Sequence, residues 1–410
     1  MPSVCLYFKV HHPFSLKQYH TSEVGASHCY EDTAADATSM NELADTCYLP
    51  ANNIILTAIE KHKGAFRINF SISGVLLDLL QKHRPDVIDS FRELIDTGCV
   101  EILAETYYHS LSFLYSKKEF DRQVDKHSVL VEQLFDIRPT VFRNTELIFN
   151  NELAVHIATL GYKGILCEGV ERILQGRTPN KLYTSPGIDD FGLLLRNAVL
   201  SDDISFRFDD TSWDKHPLTA DKFSEWINAH PIDTQVINLF MDYETFGIHK
   251  KECTGIFDFL EALPTEILKY NNINFTTASD ALNHLTPADV YDVAKTISWE
   301  DGTKECCVWC DNMMQNNTLK KIYSLEKMVL YANNEHLIEI WGRLQAADYF
   351  YYMANKSCIE NRQHYANPFE SPDKVFQYYT NIVTDFEIVL IKKALKGKEF
   401  ANYTSVGTLY

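Results

Sequence analysis

Short apolar runs alternate with longer amphipathic stretches along the first 286 residues of the chain. Runs with the length and apolar content of buried strands lie at 4–10, 66–72, 99–103, 140–143, 164–167, 235–239 and 273–277. Stretches with helical spacing, such as 53–63 and 118–135, separate several of them, and Pro85 and Gly98 mark turns. Repeated strand-helix units are typical of parallel βα folds, so the pattern predicts a barrel of seven strands.

The pattern changes after about residue 287, where strand signals fade and helical spacing dominates. We therefore expect an α/β protein with an incomplete (β/α)7 TIM-like barrel in residues 1–286 and a C-terminal helical domain, residues 287–410, packed on it. Two parts of the barrel show little periodicity: a long loop region at about 12–50 and an irregular insertion at about 174–230. Long loops in compact domains are usually functional.

Charge and composition narrow the possible partners. The net charge is -18, which argues against nucleic acid or an anionic membrane surface, since phosphate binding needs basic patches. No apolar segment approaches the roughly 20 residues of a membrane span, and the N-terminus lacks the basic region of a signal peptide. The ten cysteines are scattered apart from one CxxC, Cys307 and Cys310. We therefore expect a cytoplasmic protein without disulfides, metal or other cofactor, whose oligomeric state stays open.

Acidic side chains follow two of the predicted strands. Glu146 comes after the run at 140–143 and Asp242 after the run at 235–239. The carboxyl ends of barrel strands meet at one face, where the active sites of such barrels lie. Two carboxyl groups, one charged and one protonated part of the time, suit the cleavage of a glycosidic bond. The pattern alone leaves the pairing open, since Glu146 could instead form a buried ion pair with Arg143.

Four ordered stretches carry a resemblance to a known family: Val10 to Phe14, Gly98 to His109, Phe142 to Ile148, and Met241 to Gly247. They resemble the first four sequence regions of glycoside hydrolase family 57. The likeness extends through 202–203 and 341–356, and therefore covers most of the chain.

The resemblance implies an incomplete seven-stranded barrel with a helical domain that acts on α-glucans by a retaining mechanism without a metal. Glu146 would be the nucleophile and Asp242 the general acid/base. The fourth region is most similar to the α-amylase group, which implies hydrolysis of α-1,4-glucans such as maltooligosaccharides, starch or glycogen. His12, Ser15 and Asp311 depart from the family pattern, and these departures bear on substrate preference.

Further side chains are expected to bind the substrate, either beside the acid pair or by stacking on sugar rings: His11, Glu101, Tyr108, His109, Arg143, Trp213, Glu244, Phe246, His249 and Trp309. A structural salt bridge is the alternative for Glu101, and packing in the core is the alternative for each aromatic residue.

Three other functions stay open at this point. A 4-α-glucanotransferase would use the same catalytic pair. A catalytically silent α-glucan-binding protein would keep the barrel without turnover. A metal-dependent polysaccharide deacetylase would use a similar partial barrel with an Asp and two His as ligands.

Overall fold

The computed structural model describes residues 2–299, 304, 307–354 and 367–405. Within this part of the chain, the strands are β1 (Ser3–Val10), β2 (Ile68–Ile72), β3 (Val100–Ile102), β4 (Val141–Arg143), β5 (Gly164–Glu168), β6 (Leu182–Thr184), β7 (Gly192–Arg196), β8 (Val236–Asp242), β9 (Asn274–Phe275) and β10 (Asp289–Val290). The helices of the barrel part are α1 (Thr33–Leu43), α2 (Leu49–Lys61), α3 (Gly74–His83), α4 (Pro85–Asp96), α5 (Lys117–Phe135), α6 (Asn151–Thr159), α7 (Glu171–Leu174), α8 (Ala198–Ser205), α9 (Ala220–Asn228), α10 (Ile256–Leu268) and α11 (Ala278–His284). The remaining helices are α12 (Cys307–Cys310), α13 (Met313–Ser324), α14 (Glu326–Ala332), α15 (Glu335–Arg343), α16 (Ala347–Tyr351) and α17 (Pro372–Ser405).

Seven of the strands form a parallel barrel in the order β8, β1, β2, β3, β4, β5, β7 and back to β8. Two of its junctions are short. Strand β3 meets β4 only just beyond its end, where Ala104 pairs with Phe142, and β7 meets β8 through the single pair Arg196 and Asn238. The barrel is therefore incompletely closed, which confirms the predicted fold class.

Side chains of the barrel strands alternate between the interior and the surrounding helices. On β1, Cys5 and Tyr7 pack in the interior core, whereas Val4, Leu6 and Phe8 pack against the helix layer. Because both faces are buried, the strands read as continuous apolar runs rather than as alternating ones. The same alternation places Lys9 at the next interior position, towards the carboxyl end of the strand.

The helices after α11 form a second core around large aromatic side chains, which include Trp309, Trp341, Tyr349, Phe350 and Tyr379. Residues from the loop after β1, such as Tyr19, complete this core. The start of α16 is fixed to the barrel, since the amide of Ala347 donates to the carbonyl oxygen of His109 at 2.9 Å. The domain boundary at residue 287 stays a prediction.

The structure differs from the sequence-based expectation in two regions. The predicted long loop at 12–50 contains α1, which Asp32 caps by accepting two amide N–H groups. The predicted irregular insertion at 174–230 contains β6, β7, α8 and α9. Strand β7 takes the barrel position that the run at 273–277 was expected to fill, and that run supplies only β9, paired with Ser3 and Val4 at the base of β1.

Candidate active site

A layer of buried charged side chains lies on the apolar interior of the barrel, at the carboxyl ends of its strands. It consists of Lys9, Glu105, Arg143, Glu168, Arg196 and Asp242. Three ion pairs join opposite charges across the layer: Lys9 with Asp242 at 2.9 Å, Arg196 with Glu168 at 3.4 Å and Arg143 with Glu105 at 3.9 Å. Buried charges are costly unless they are paired, so the six side chains stabilise one another as a set.

Lys9 connects the two predicted catalytic carboxylates. Its Nζ lies 2.9 Å from Asp242 Oδ1 and 3.2 Å from Glu146 Oε1. The strands explain the first contact, because Lys9 lies opposite Asp242 in the pairing of β1 with β8. Two oxygens that share one nitrogen at these distances lie within about 6 Å of each other.

Glu146 is held by a donor on each oxygen besides Lys9. His109 Nε2 contacts Oε1 at 2.6 Å, and Trp299 Nε1 donates to Oε2 at 2.8 Å. Although burial raises the pKa of Glu146, the Lys9 ammonium and the His109 hydrogen bond hold it well below its usual range. The backbone at Glu146 is left-handed, with φ of 54°, a conformation that a non-glycine residue adopts only under constraint. Glu146 is therefore a fixed and ionised carboxylate.

Two stacked imidazoles lie beside Glu146. The rings of His109 and His11 are 3.8 Å apart and tilted by 22°. His109 Nδ1 lies 3.0 Å from Glu105 Oε2, so both its ring nitrogens face carboxylates. These hydrogen bonds outweigh burial and raise the pKa of His109.

The surroundings of His11 stabilise a protonated ring less than those of His109 do. Its Nδ1 lies 2.7 Å from Ser73 Oγ and its Nε2 lies 2.9 Å from Asp348 Oδ2. Burial and the neighbouring His109 lower the pKa of His11 to about 4. His11 is thus neutral at neutral pH, and the contacts of His109 favour a charge on that ring instead.

The other side of Asp242 carries a second carboxyl group. Glu244 Oε1 accepts a hydrogen bond from the Tyr48 hydroxyl at 2.7 Å. Burial and the charge of Asp242 raise the pKa of Glu244 to about 7. Burial also lowers the pKa of His249, although Asp242 opposes this shift. Asp242 therefore has one neighbour, Glu244, that exchanges its proton close to neutral pH.

The structure brings some of the predicted binding residues to the acid pair and not others. Those in or beside the site are His11, His109, Arg143, Glu244 and His249. Those directed elsewhere are Glu101, Tyr108, Trp213, Phe246 and Trp309.

Glu101 lies towards the base of the barrel, because its Oε2 accepts the amide of Ser279 at the start of α11. That helix packs under the barrel, where Leu282 fills the space next to Gly164 and Gly192 at the first positions of β5 and β7. Glu105, four residues after Glu101, is the side chain of this segment that reaches the site.

The four aromatic residues have packing roles. The Tyr108 hydroxyl donates to Glu339 at 2.8 Å, and Phe246 packs against Phe8 on the helix-facing side of the barrel. Trp309 belongs to the core of the C-terminal helices. Trp213 meets Trp226 edge to face, with ring centroids 6.1 Å apart.

Four site residues were missed from the sequence: Lys9, Glu105, Trp299 and Asp348. Lys9 could have been found, since on β1 it follows the inward-facing residues Cys5 and Tyr7 at every second position and lies two residues before His11. Glu105 lies inside one of the family-like stretches. Asp348 lies inside the family-like stretch 341–356, whereas Trp299 lies outside the predicted strands and the family-like stretches.

The three departures from the family pattern lie outside this cluster. His12 and Ser15 line a cavity of about 540 Å³ next to the loop after β1, together with Tyr352 and Phe369. The amide of Asp311 donates to Gln315 Oε1 at 3.2 Å, at the start of α13. Among the described residues, no group of three or more His, Cys, Asp or Glu side chains is placed to hold a metal ion, and no helix has the length and apolar character of a membrane span.

Comparison with known proteins gives consistent results at two levels. The family model described as glycosyl hydrolase family 57 matches residues 5–294. A protein of Methanocaldococcus jannaschii named "Putative alpha-amylase" is 38% identical over 407 residues, which are 96% of this chain and 85% of that protein.

Two solved structures share the fold at low sequence identity. The 4-alpha-glucanotransferase of Thermococcus litoralis is 16% identical with a TM-score of 0.69, over 94% of this chain and 59% of that one. A GH57 branching enzyme of Thermococcus kodakaraensis is 13% identical with a TM-score of 0.65, over 94% and 89% of the two chains. Both likenesses concern the fold alone.

Proposed function

Because the chain belongs to glycosyl hydrolase family 57, we propose that it hydrolyses α-1,4-glucans, such as maltooligosaccharides, starch or glycogen, with retention of the anomeric configuration. The observation that carries this proposal is the shared contact of Glu146 and Asp242 with Lys9, which keeps the two carboxylates within about 6 Å. Retaining enzymes place their carboxyl groups roughly 5 to 5.5 Å apart, whereas inverting enzymes need roughly 6.5 to 9.5 Å. Because the facing oxygens of Glu146 and Asp242 lie no more than about 6 Å apart, the shared contact favours the retaining range over the inverting one.

In the first step, an oxygen of Glu146 attacks the anomeric carbon as the bond to the departing glycosidic oxygen breaks. Asp242 gives its proton to that oxygen, and a covalent glycosyl ester of Glu146 forms. The low pKa of Glu146 supplies an ionised nucleophile. His109 and Trp299 orient it through one hydrogen bond to each oxygen.

In the second step, Asp242 takes a proton from an incoming water molecule, whose oxygen attacks the anomeric carbon and releases Glu146 as a carboxylate. A sugar hydroxyl in place of water would make the reaction a transfer through the same intermediate. The name of the Methanocaldococcus relative favours hydrolysis.

Analysis of the products from maltoheptaose tests the proposal. We expect shorter maltooligosaccharides, and proton NMR at early times should show the α-anomer as first product. Products longer than seven glucose units would identify a transferase. Binding without any turnover would identify a binding protein, and acetate released from an acetylated polysaccharide would point to a deacetylase.

Two variants test the assigned roles. Glu146→Ala should lose nearly all activity, and azide should restore cleavage of a nitrophenyl α-maltooligoside to give the inverted β-glycosyl azide, since a single displacement then replaces two. Asp242→Ala with azide should give the retained α-glycosyl azide instead. An α-glycosyl azide from Glu146→Ala and a β-glycosyl azide from Asp242→Ala would show that the two carboxylates have the opposite roles.

A further inference from the structure

Lys9 is the buried cation between the two carboxylates of the proposed mechanism. Its side chain is 2% exposed, and it rises from the interior face of β1 next to Tyr7. Its Nζ contacts Glu146 and Asp242 and lies 5.4 Å from the centre of the Trp299 ring. The reaction steps given above do not use it.

The charge of Lys9 stabilises the ionised forms of Glu146 and Asp242, which suits the role of one carboxyl group and opposes that of the other. Two ionised carboxylates this close repel each other, and an ammonium ion between them offsets the repulsion. The same ammonium favours the ionised form of both groups. The nucleophile benefits from this effect, whereas the general acid has to hold a proton when the glycosidic bond breaks.

We propose that Lys9 is a positioning residue for the proposed glycosidase reaction, whose ammonium holds Glu146 and Asp242 at the separation for double displacement and sets the pH range of activity. The inference rests on the proposed function, because it assigns Lys9 a role only within that reaction. The removal of this charge should make both carboxyl groups easier to protonate. The pH range of activity should then move upwards as a whole.

Other charged groups face the same cluster, and they stay in place when Lys9 is replaced. They are Glu105 and His109 after β3, Arg143 on β4, Glu168 on β5, Arg196 on β7, Asp202 on α8, Glu244 and His249 after β8, His11 after β1, Asp348 on α16, and Lys304, whose Nζ lies 3.9 Å from Glu168. His109 already has a raised pKa from its two carboxylate contacts. All of these groups are the same in wild type and the variants, so a difference between the pH profiles reports the removal of the Lys9 charge.

The test is the pH profile of kcat/KM on maltoheptaose for wild type, Lys9→Met and Lys9→Arg. In Lys9→Met, both limbs of the profile should move to higher pH by about one unit or more, since an adjacent opposite charge shifts a carboxyl pKa by roughly 1 to 3 units. At the wild-type optimum, kcat/KM should fall at least tenfold. Lys9→Arg keeps the charge, so its limbs should stay close to those of wild type.

A uniform loss of rate in Lys9→Met with unmoved limbs would overturn the role of Lys9 and leave the proposed function standing. No turnover of any glucan by the wild type would overturn the proposed function itself. Near-ultraviolet circular dichroism should show that the variants are folded, and Lys9→Gln replaces Lys9→Met if the latter is not.

A second measurement does not depend on turnover. Carboxyl carbon NMR of glutamate-labelled protein follows the titration of Glu146, whose signal is identified by its loss in Glu146→Gln. The titration midpoint should be higher in Lys9→Met than in wild type, and equal midpoints would contradict the inference.

Discussion

At the residue scale, the protonation of the site depends on which hydrogen bonds each carboxyl group receives. Glu146 receives bonds from His109 and Trp299 in addition to the Lys9 contact. Glu244 receives one from the neutral Tyr48 hydroxyl and faces the charge of Asp242. The pKa of Glu146 therefore lies below its ordinary value and the pKa of Glu244 above it, although both are buried glutamates of one site.

The indole N–H of Trp299 should contribute to catalysis through Glu146. In Trp299→Phe, the carboxylate loses a charged hydrogen bond worth roughly 1.5 to 3 kcal/mol. We expect kcat to fall about 10- to 100-fold, and the acidic limb of its pH profile to move upwards because the ionised form of Glu146 is less favoured. The control is Trp341→Phe, which removes a buried N–H bond to the Ile322 carbonyl oxygen at 2.9 Å. A control with the same shift in the acidic limb would contradict the assigned role of Trp299.

Glu244 should make the free energy of unfolding depend on pH. Its pKa is raised from 4.5 to about 7 in the folded protein, so the folded state binds the proton more tightly than the unfolded state. The contribution of Glu244 to stability should thus be fully present below about pH 4.5 and should be lost as the pH rises through about 7.

Glu244→Gln cannot titrate, so it should not lose this stability. The difference in free energy of unfolding between variant and wild type should therefore move in favour of the variant by about 1 to 3 kcal/mol between pH 4.5 and pH 8. Urea unfolding at several pH values measures the difference. Glu60→Gln, an exposed change on α2, is the matched control. The same slope for wild type and Glu244→Gln would show that Glu244 titrates normally.

At the element scale, the strands were found from the sequence wherever β-branched and aromatic residues marked them. Strands β1, β2 and β8 are long apolar runs and were predicted within a few residues. Strand β7, with the sequence Gly192-Leu193-Leu194-Leu195-Arg196, lacks β-branched residues and was left inside an irregular region. The run at 273–277 is apolar because it packs at the base of the barrel. The local sequence pattern of such a run is the same as that of a barrel strand.

The residues of the site also divide into those that local sequence indicates and those that only tertiary packing brings there. Glu146 and Asp242 were predictable because barrel strands deliver their ends to one face. Trp299 and Asp348 reach the same place through tertiary packing, which the pattern of predicted strands does not show. The aromatic candidates were misleading because Tyr and Trp serve the core as readily as a sugar platform.

The turn after β8 depends on Gly247. Its φ is 105°, and a Cβ there would come within 1.8 Å of the Thr46 carbonyl oxygen. Gly247→Ala should therefore displace the loop that follows Asp242 and Glu244. Gly176 is a matched control, since its φ is 82° and no atom lies within 4 Å of the added Cβ.

Both substitutions carry the backbone penalty of a positive φ, but only Gly247→Ala adds the collision. We expect its free energy of unfolding to fall by about 2 kcal/mol more than that of Gly176→Ala, as measured by urea denaturation. Equal losses in the two variants would show that the loop moves freely away from Thr46.

At the scale of the whole molecule, the helical region supplies part of the site. Asp348 on α16 is 5% exposed, and its bond to His11 crosses from the helical region to the end of β1. The amide of the neighbouring Ala347 bonds the carbonyl of His109. The histidine stack next to Glu146 is therefore positioned from both parts of the molecule.

A second buried aspartate joins the two parts away from the site. Asp385 on α17 accepts the amide of Gly25 at 2.6 Å, the Tyr30 hydroxyl at 2.7 Å and His28 Nδ1 at 2.7 Å. These partners belong to the loop after β1, and none of them contacts Glu146 or Asp242 among the described residues. Asp348 and Asp385 are thus two similarly buried aspartates that connect the helical region to the chain after β1, one beside the site and one away from it.

Asp348→Ala should lower kcat/KM on maltoheptaose about 10- to 100-fold. His11 loses its contact with Asp348, which loosens the histidine stack beside Glu146. Small misplacements of catalytic groups lower reaction rates by this order. Asp385→Ala should lower the free energy of unfolding by about 1 to 3 kcal/mol, since it leaves the buried Tyr30 hydroxyl without its acceptor, with kcat/KM unchanged at a temperature where the protein stays folded. Steady-state kinetics and urea unfolding on both variants separate the two effects. Equal losses of activity would mean that the helical region supports the barrel as a whole, without a specific role for Asp348 at the site.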